Sequence, residues 1–271
     1  MTEQPKSKKK VVRVQPTAEE RGGAAKDGPV WSPTAEAKGS ATRLRVFAWI
    51  GWLLAIAVEA VLIFWVLRQD PVNMWLLIGG IVVTGVLASV GSVLWKKANR
   101  LDPASKKDPV RFFVQNQLGA IMSVIAFLPL IILIFTNKNM DGKQKALAGS
   151  IGIVVAAVAV FAFGPDYSPP SQEQYAEETA AVTSLTGGED LVYWVKGGSV
   201  FHLCEAVPDV NRESKDGTIS EGTVAQAHAA GKERLTKKWE SEALNYCGYT
   251  QEQVDAARSA MEAASADVPG E

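Results

Sequence analysis

Four long apolar runs dominate the pattern of this chain, at residues 44–67, 74–95, 112–135 and 146–163. A helix needs about 20 apolar residues to cross the hydrocarbon core of a bilayer. Lipid offers the backbone no hydrogen-bond partner, so each run is expected to be a helix. The predicted fold is mainly α: a four-helix transmembrane bundle followed by a small soluble α+β domain. After the fourth run, Gly164-Pro-Asp-Tyr-Ser-Pro-Pro170 breaks the helix and opens a linker over 165–186 that holds one short helix. Residues 191–194 and 199–203 are apolar or β-branched around Lys196-Gly-Gly, which predicts a hairpin. Helices are predicted at 223–230, closed by Gly231, at 236–246, closed near Gly248, and after Thr250, with Gln253 at the capping-box position. The soluble domain is placed at 187–264, with 265–271 as a tail.

Charge changes the picture because it is unevenly spread. Residues 1–43 carry nine Lys/Arg against five acids, 96–111 carry six against two, and 165–271 carry eight against nineteen. Lys/Arg-rich short segments remain in the cytoplasm. The chain is therefore expected to be a multi-pass plasma-membrane protein with its N-terminus, second loop and C-terminal domain inside. In that compartment Cys204 and Cys247 are expected to be free thiols. If the domain faced outward, a disulfide between them would be allowed. The low apolar content of residues 1–43 predicts a disordered basic tail. Its KSKKK run fits a topology signal touching lipid headgroups better than a nucleic-acid contact.

Within the runs, Glu59 stands alone as a charge near the bilayer midplane, where a carboxylate costs about 2.5–3.5 kcal/mol. Gly51, Ala55 and Glu59 share one helix face, so Glu59 points at a partner helix rather than lipid. Two readings follow: a proton or cation site, or a protonated side chain bonded to Thr84, Ser89 or a neighbouring subunit. Gly80, Thr84, Ala88 and Ser92 recur every fourth residue, and Ala148, Gly152 and Ala156 do the same in the last run. Small residues at this spacing predict tight helix packing, within the chain or against another. Pro129 predicts a kink in the third span. Phe113, Gln115, Asn116 and Gln117 open the third span near the cytoplasmic face, where polar residues are expected to bond headgroups or adjacent helix ends. Trp49, Trp52 and Trp95 are expected in an inner interfacial belt, and Trp65 and Trp75 in an outer one.

In the soluble part, His202 and Cys204 alternate on one strand face, with His228 and Cys247 further on. Zinc sites use paired spacings that none of these four residues shows, so a buried histidine and buried cysteines are preferred over a metal site. No nucleophile elbow, phosphate loop or haem motif is present in the sequence, so neither enzymatic activity nor a cofactor is expected.

Over Val192-Tyr-Trp-Val-Lys-Gly-Gly-Ser-Val-Phe-His-Leu-Cys204 and Gly222-Thr-Val-Ala-Gln-Ala-His-Ala-Ala-Gly-Lys-Glu-Arg-Leu235, the chain resembles a group of actinobacterial membrane proteins with several spans and a small C-terminal domain. Some members look like Cys/His zinc modules, with a YHxxxC-type element and a later CxxC. Here Val207 stands near the first Cys position, and Thr236 and Trp239 stand where the CxxC would be. The resemblance therefore implies the fold without the metal. In size and layout the chain is also similar to accessory membrane subunits of the actinobacterial cytochrome bc–aa3 respiratory supercomplex. That similarity implies haem-containing respiratory complexes as partners and no haem of its own. The expected partners are thus other membrane subunits and the lipid bilayer, with homo-oligomers allowed and no nucleic acid. The expected function is an accessory or structural subunit. The alternatives are a proton- or cation-coupled transporter using Glu59, or a metal or redox sensor using His202, Cys204 and Cys247.

Overall fold

The computed structural model describes residues 9–14 and 32–268. It is mainly helical, at 67%, and divides into two compact units. Among the described residues, one comprises 39–99 and 110–169, the other 9–14, 32–38, 100–109 and 170–268.

The first unit holds α1 (Ala35–Phe64), α2 (Met74–Leu101), α3 (Pro109–Thr136) and α4 (Gly142–Ala157). A 3-10 turn at Val66–Arg68 extends α1, and π-helical turns at Val158–Phe163 extend α4. All four are long and apolar enough to cross a membrane. The start of α4 is set by a capping box: Asp141 accepts from the Gln144 N–H, and Gln144 accepts from the Asp141 N–H. That places the helix start four residues ahead of the apolar run.

The small-residue seams are used inside this unit. A Cβ on Gly80 would lie 2.4 Å from Leu62, one on Gly51 3.3 Å from the Leu87 carbonyl, and one on Gly91 2.7 Å from the Trp52 indole. Ala55, Thr84, Ala88 and Ser92 are buried, and Gly152 faces Ile131 and Ile81. Such close approach maximises dispersion contact where lipid gives no hydrophobic drive.

One interfacial expectation is corrected, and another is narrowed to one of its two alternatives. Trp52 and Trp95 do not form a belt: both are buried and meet at 5.5 Å, and only Trp49 of that trio is exposed. The Trp52 and Trp95 N–H groups donate to the carbonyls of Ala88 and Gln115. Gln115 and Asn116 are buried, and the Gln115 backbone meets the adjacent helix end rather than headgroups, the second of the two expected partners. The Gln115 carbonyl also accepts from Asn99, and Asn116 donates to the Phe112 carbonyl. An indole or amide that finds a backbone carbonyl inside the protein gains more by burial than by facing the interface.

The second unit contains β1 (Lys10–Arg13), α5 (Gln172–Thr186), β2 (Val192–Trp194), β3 (Val200–Phe201), α6 (Pro208–Glu213), β4 (Thr218–Gly222), α7 (Val224–Ala229), β5 (Arg234–Leu235), α8 (Trp239–Asn245) and α9 (Gln251–Asp267). One sheet runs β1-β4-β2, with β1 parallel and β2 antiparallel to β4; β3 and β5 pair in parallel. Thr223 and Thr250 open α7 and α9 with complete capping boxes, and Gly231 and Gly248 take positive φ just beyond α7 and α8. The expected hairpin is reduced to one antiparallel bridge, Tyr193 to His202, because β2 and β3 find their main partners elsewhere. The core gathers Val182, Leu185, Trp194, Phe201, Leu203 and Trp239.

This unit is larger than the sequence implied. The segment read as a linker helix, α5, is a core helix, with Ala176 packed against Ala264 and Val268. The tail read as disordered carries β1, and α1 already begins at Ala35; residues 1–8 and 15–31 lie outside the described set.

Candidate functional site

The most heavily partnered polar side chains lie in the second unit. On α5, Tyr175, Glu178, Val182 and Leu185 fall on one buried face. The acid in that series meets His228 of α7, with Nε2 2.6 Å from Glu178 Oε2. Its other oxygen accepts from the Leu235 N–H at 3.0 Å and the Gln174 amide at 3.0 Å. His228 Nδ1 lies 3.0 Å from the Lys232 carbonyl, so it must carry a hydrogen. Nε2 then faces the carboxyl as the ring's remaining hydrogen-bonding atom. The imidazole stacks on Tyr175, centroids 3.9 Å apart, and the Tyr175 hydroxyl donates to the Arg100 carbonyl. The network joins α5, α7, β5 and the 100–109 segment.

A second pair links β3 to α8: His202 Nδ1 lies 2.9 and 3.2 Å from the two oxygens of Glu242. Beside it Cys204 and Cys247 form a disulfide, which overturns the expectation of free thiols. The physical reason is proximity: the Cα atoms are 5.8 Å apart, within bridging range. Of the four weak metal candidates, the two thiolates are therefore consumed and the two imidazoles are taken by different carboxylates. Among the described residues no group of three or more His, Cys, Asp or Glu could hold a metal ion. Sequence reasoning named both histidines and missed both acids. The available signal was an acid on an otherwise apolar helix face.

The 100–109 segment is fastened to α5. Glu173 accepts from the Ser105 hydroxyl and the Lys106 N–H, while Gln172 donates to the Pro103 carbonyl. Burial pushes the Glu173 carboxyl up, but the Lys106 N–H and the Ser105 hydroxyl outweigh it and hold the carboxyl below its ordinary value of 4.5. A lowered folded pKa means stability present above pH 4.5 and lost as pH falls through the folded value. Glu173→Gln should flatten the acid limb of the melting-temperature profile relative to wild type, and an unchanged limb would contradict this assignment. Lys232 is fastened equally firmly, its ammonium donating to the carbonyls of Val195 at 2.6 Å, Lys196 at 3.3 Å and Gly198 at 2.5 Å. A shallow polar hollow of about 290 Å³ beside it is lined by Trp194, Lys196, Asp216, Thr218 and Ser220.

In the membrane unit, Glu59 is buried, and neither Thr84 nor Ser89 is its partner. Its Oε1 accepts from the Leu130 N–H of α3 at 3.3 Å. Pro129 has no N–H to offer the helical ladder, and the adjacent N–H is the one Glu59 meets. An acid and a proline at matching depth in two spans was the readable signal. The Thr84 hydroxyl is buried with no hydrogen-bond partner among the described residues. Glu59→Gln keeps an acceptor for Leu130 and should leave the melting temperature nearly unchanged, whereas Glu59→Ala should cost about 1 kcal/mol. Equal loss in both would make the charge, not the hydrogen bond, the important property.

These features define a mainly helical protein with four helices long and apolar enough to cross a membrane and a second compact unit rich in buried polar contacts. No protein-family model, curated protein or solved structure matches the chain.

Proposed function

We propose that this protein is a non-enzymatic structural subunit of a larger membrane assembly. The observation that carries this reading is how the second unit is built. It draws on three separate stretches, 9–14, 100–109 and 170–268, which bracket the spans. A unit assembled from three separate stretches of the chain is an integral part of the protein rather than an appended module, which suits a structural role. The Lys/Arg content of the tail and of 96–111 supports a cytoplasmic position for all three stretches. Four crossings would bring them to one side. The similarity in layout to accessory subunits of the cytochrome bc–aa3 supercomplex makes haem-bearing complexes the partner class to test first. Cross-linking mass spectrometry on intact membranes should return stoichiometric links from 170–268 to other proteins; links confined to this chain would contradict the proposal.

The disulfide favours a second reading. In a reducing cytoplasm such a bond is commonly transient or redox-sensing, and both cysteines are only half-buried. A membrane-impermeant maleimide applied to whole cells, with and without a permeant reductant, separates an oxidised outward domain from a cytoplasmic redox pair. Transport through Glu59 is less supported, because its carboxylate is engaged by a backbone N–H in helix packing.

A further inference from the structure

Strand β1 contributes little to the core of its unit. All four of its residues are exposed, as is Val14, and the valines at 11, 12 and 14 stand at 36, 39 and 38% exposure. It is held by its ladder and by charge. The Lys10 N–H donates to the Gly217 carbonyl at 2.9 Å and the Val14 N–H to the Glu221 carbonyl at 2.7 Å, in parallel register with β4. Arg13 pairs with Glu221 across the ladder, and Lys9 reaches the Asn211 carbonyl and the Ser214 hydroxyl.

Alternate residues of a strand turn their N–H and C=O to opposite edges. Lys10, Val12 and Val14 face β4. Val11 and Arg13 therefore present two donors and two acceptors on the other side, where no strand pairs among the described residues. An exposed, valine-bearing edge is a template for another strand unless something blocks it. Lysine commonly does so by repelling like-charged strands, which also makes the edge selective for acidic ones. Lys9, Lys10 and Arg13 lie along it, and Lys10 has no ion-pair partner among the described residues. Edge-to-edge pairing of two copies would bring six cations onto one ladder, and like charges across a ladder repel.

We propose that the open edge of β1 docks an extended, acidic, β-branched segment of a partner protein, which adds as a fourth strand to the β1-β4-β2 sheet. This rests on the reading of the protein as a subunit and names the chemistry of one of its contacts. Main-chain bonds to Val11 and Arg13 would supply affinity, and acidic side chains beside Lys10 and Arg13 the selectivity.

The test uses the full-length chain in nanodiscs and a fluorescent ten-residue peptide alternating Glu with Val and Thr; the control peptide carries Lys in place of Glu. Val11→Pro removes an outward N–H and leaves the β4 ladder intact, whereas Val12→Pro removes a ladder donor. The acidic peptide should bind saturably and the basic one should not, and Val11→Pro should weaken binding about tenfold with an unchanged melting temperature. No saturable binding, equal binding by Val11→Pro, or a concentration-dependent dimer abolished by Val11→Pro would overturn the proposal. In native membranes, partners retained equally by Val11→Pro would overturn the edge alone. Peptide binding without any native partner would support the edge and contradict the subunit reading.

Discussion

Replacing Glu178 with Ala is expected to destabilise the second unit by about 3–5 kcal/mol, the loss typical of removing one partner of a buried, hydrogen-bonded acid–base pair. The substitution strands two groups at once, His228 Nε2 and the Leu235 N–H, while the Gln174 amide keeps its bond to the Glu233 carbonyl. His228 is fully buried and its other nitrogen is already committed to Lys232, so it cannot turn toward water. Glu178→Gln is the informative companion. It keeps an oxygen for the Leu235 N–H and a polar group opposite His228 Nε2, and should lose less. Thermal unfolding followed by tryptophan fluorescence, with Trp194 and Trp239 in the affected core, reads both. An Ala variant within 1 kcal/mol of wild type would mean that the network contributes little.

The second large effect belongs to the disulfide. Cys204 and Cys247 close a loop of 43 residues, for which the chain-entropy account gives about 4 kcal/mol as an upper figure. Cys204→Ser should approach that loss in oxidised protein and show almost none in protein already reduced. Residual structure in the reduced, unfolded chain lowers the gain, so the observed loss should fall below the full figure. Alkylation before and after reduction supplies the check: no adducts on the untreated protein and two on the reduced one. Two adducts on untreated protein from native membranes would return the cysteines to the free-thiol state expected from the sequence.

The legibility of the sequence differs between the two units for a physical reason. Span positions follow from local apolar content, which lipid makes decisive, and all four runs coincide with long helices. Helix starts at Thr223 and Thr250 were readable because a capping box is contained within four residues. What escaped was non-local. The role of α5 depends on α9, some 80 residues later, and β1 is a strand because β4 offers it an edge more than 200 residues away. Glu178 and Glu242 look like surface acids until their histidines are placed. Trp52 and Trp95 carry interfacial composition but find carbonyls inside the helix packing. The disulfide was obscured by the compartment that the lysines implied.

The most direct test of the structural-subunit account is purification of the tagged full-length protein from native membranes in mild detergent, with native mass determination and a haem absorption spectrum of the same fraction. The account predicts a discrete assembly containing other membrane proteins in fixed ratio. A b-, c- and a-type haem spectrum would identify that assembly as respiratory. A clean monomer or homo-oligomer at every detergent tested would contradict the account and move attention to the disulfide and Glu59.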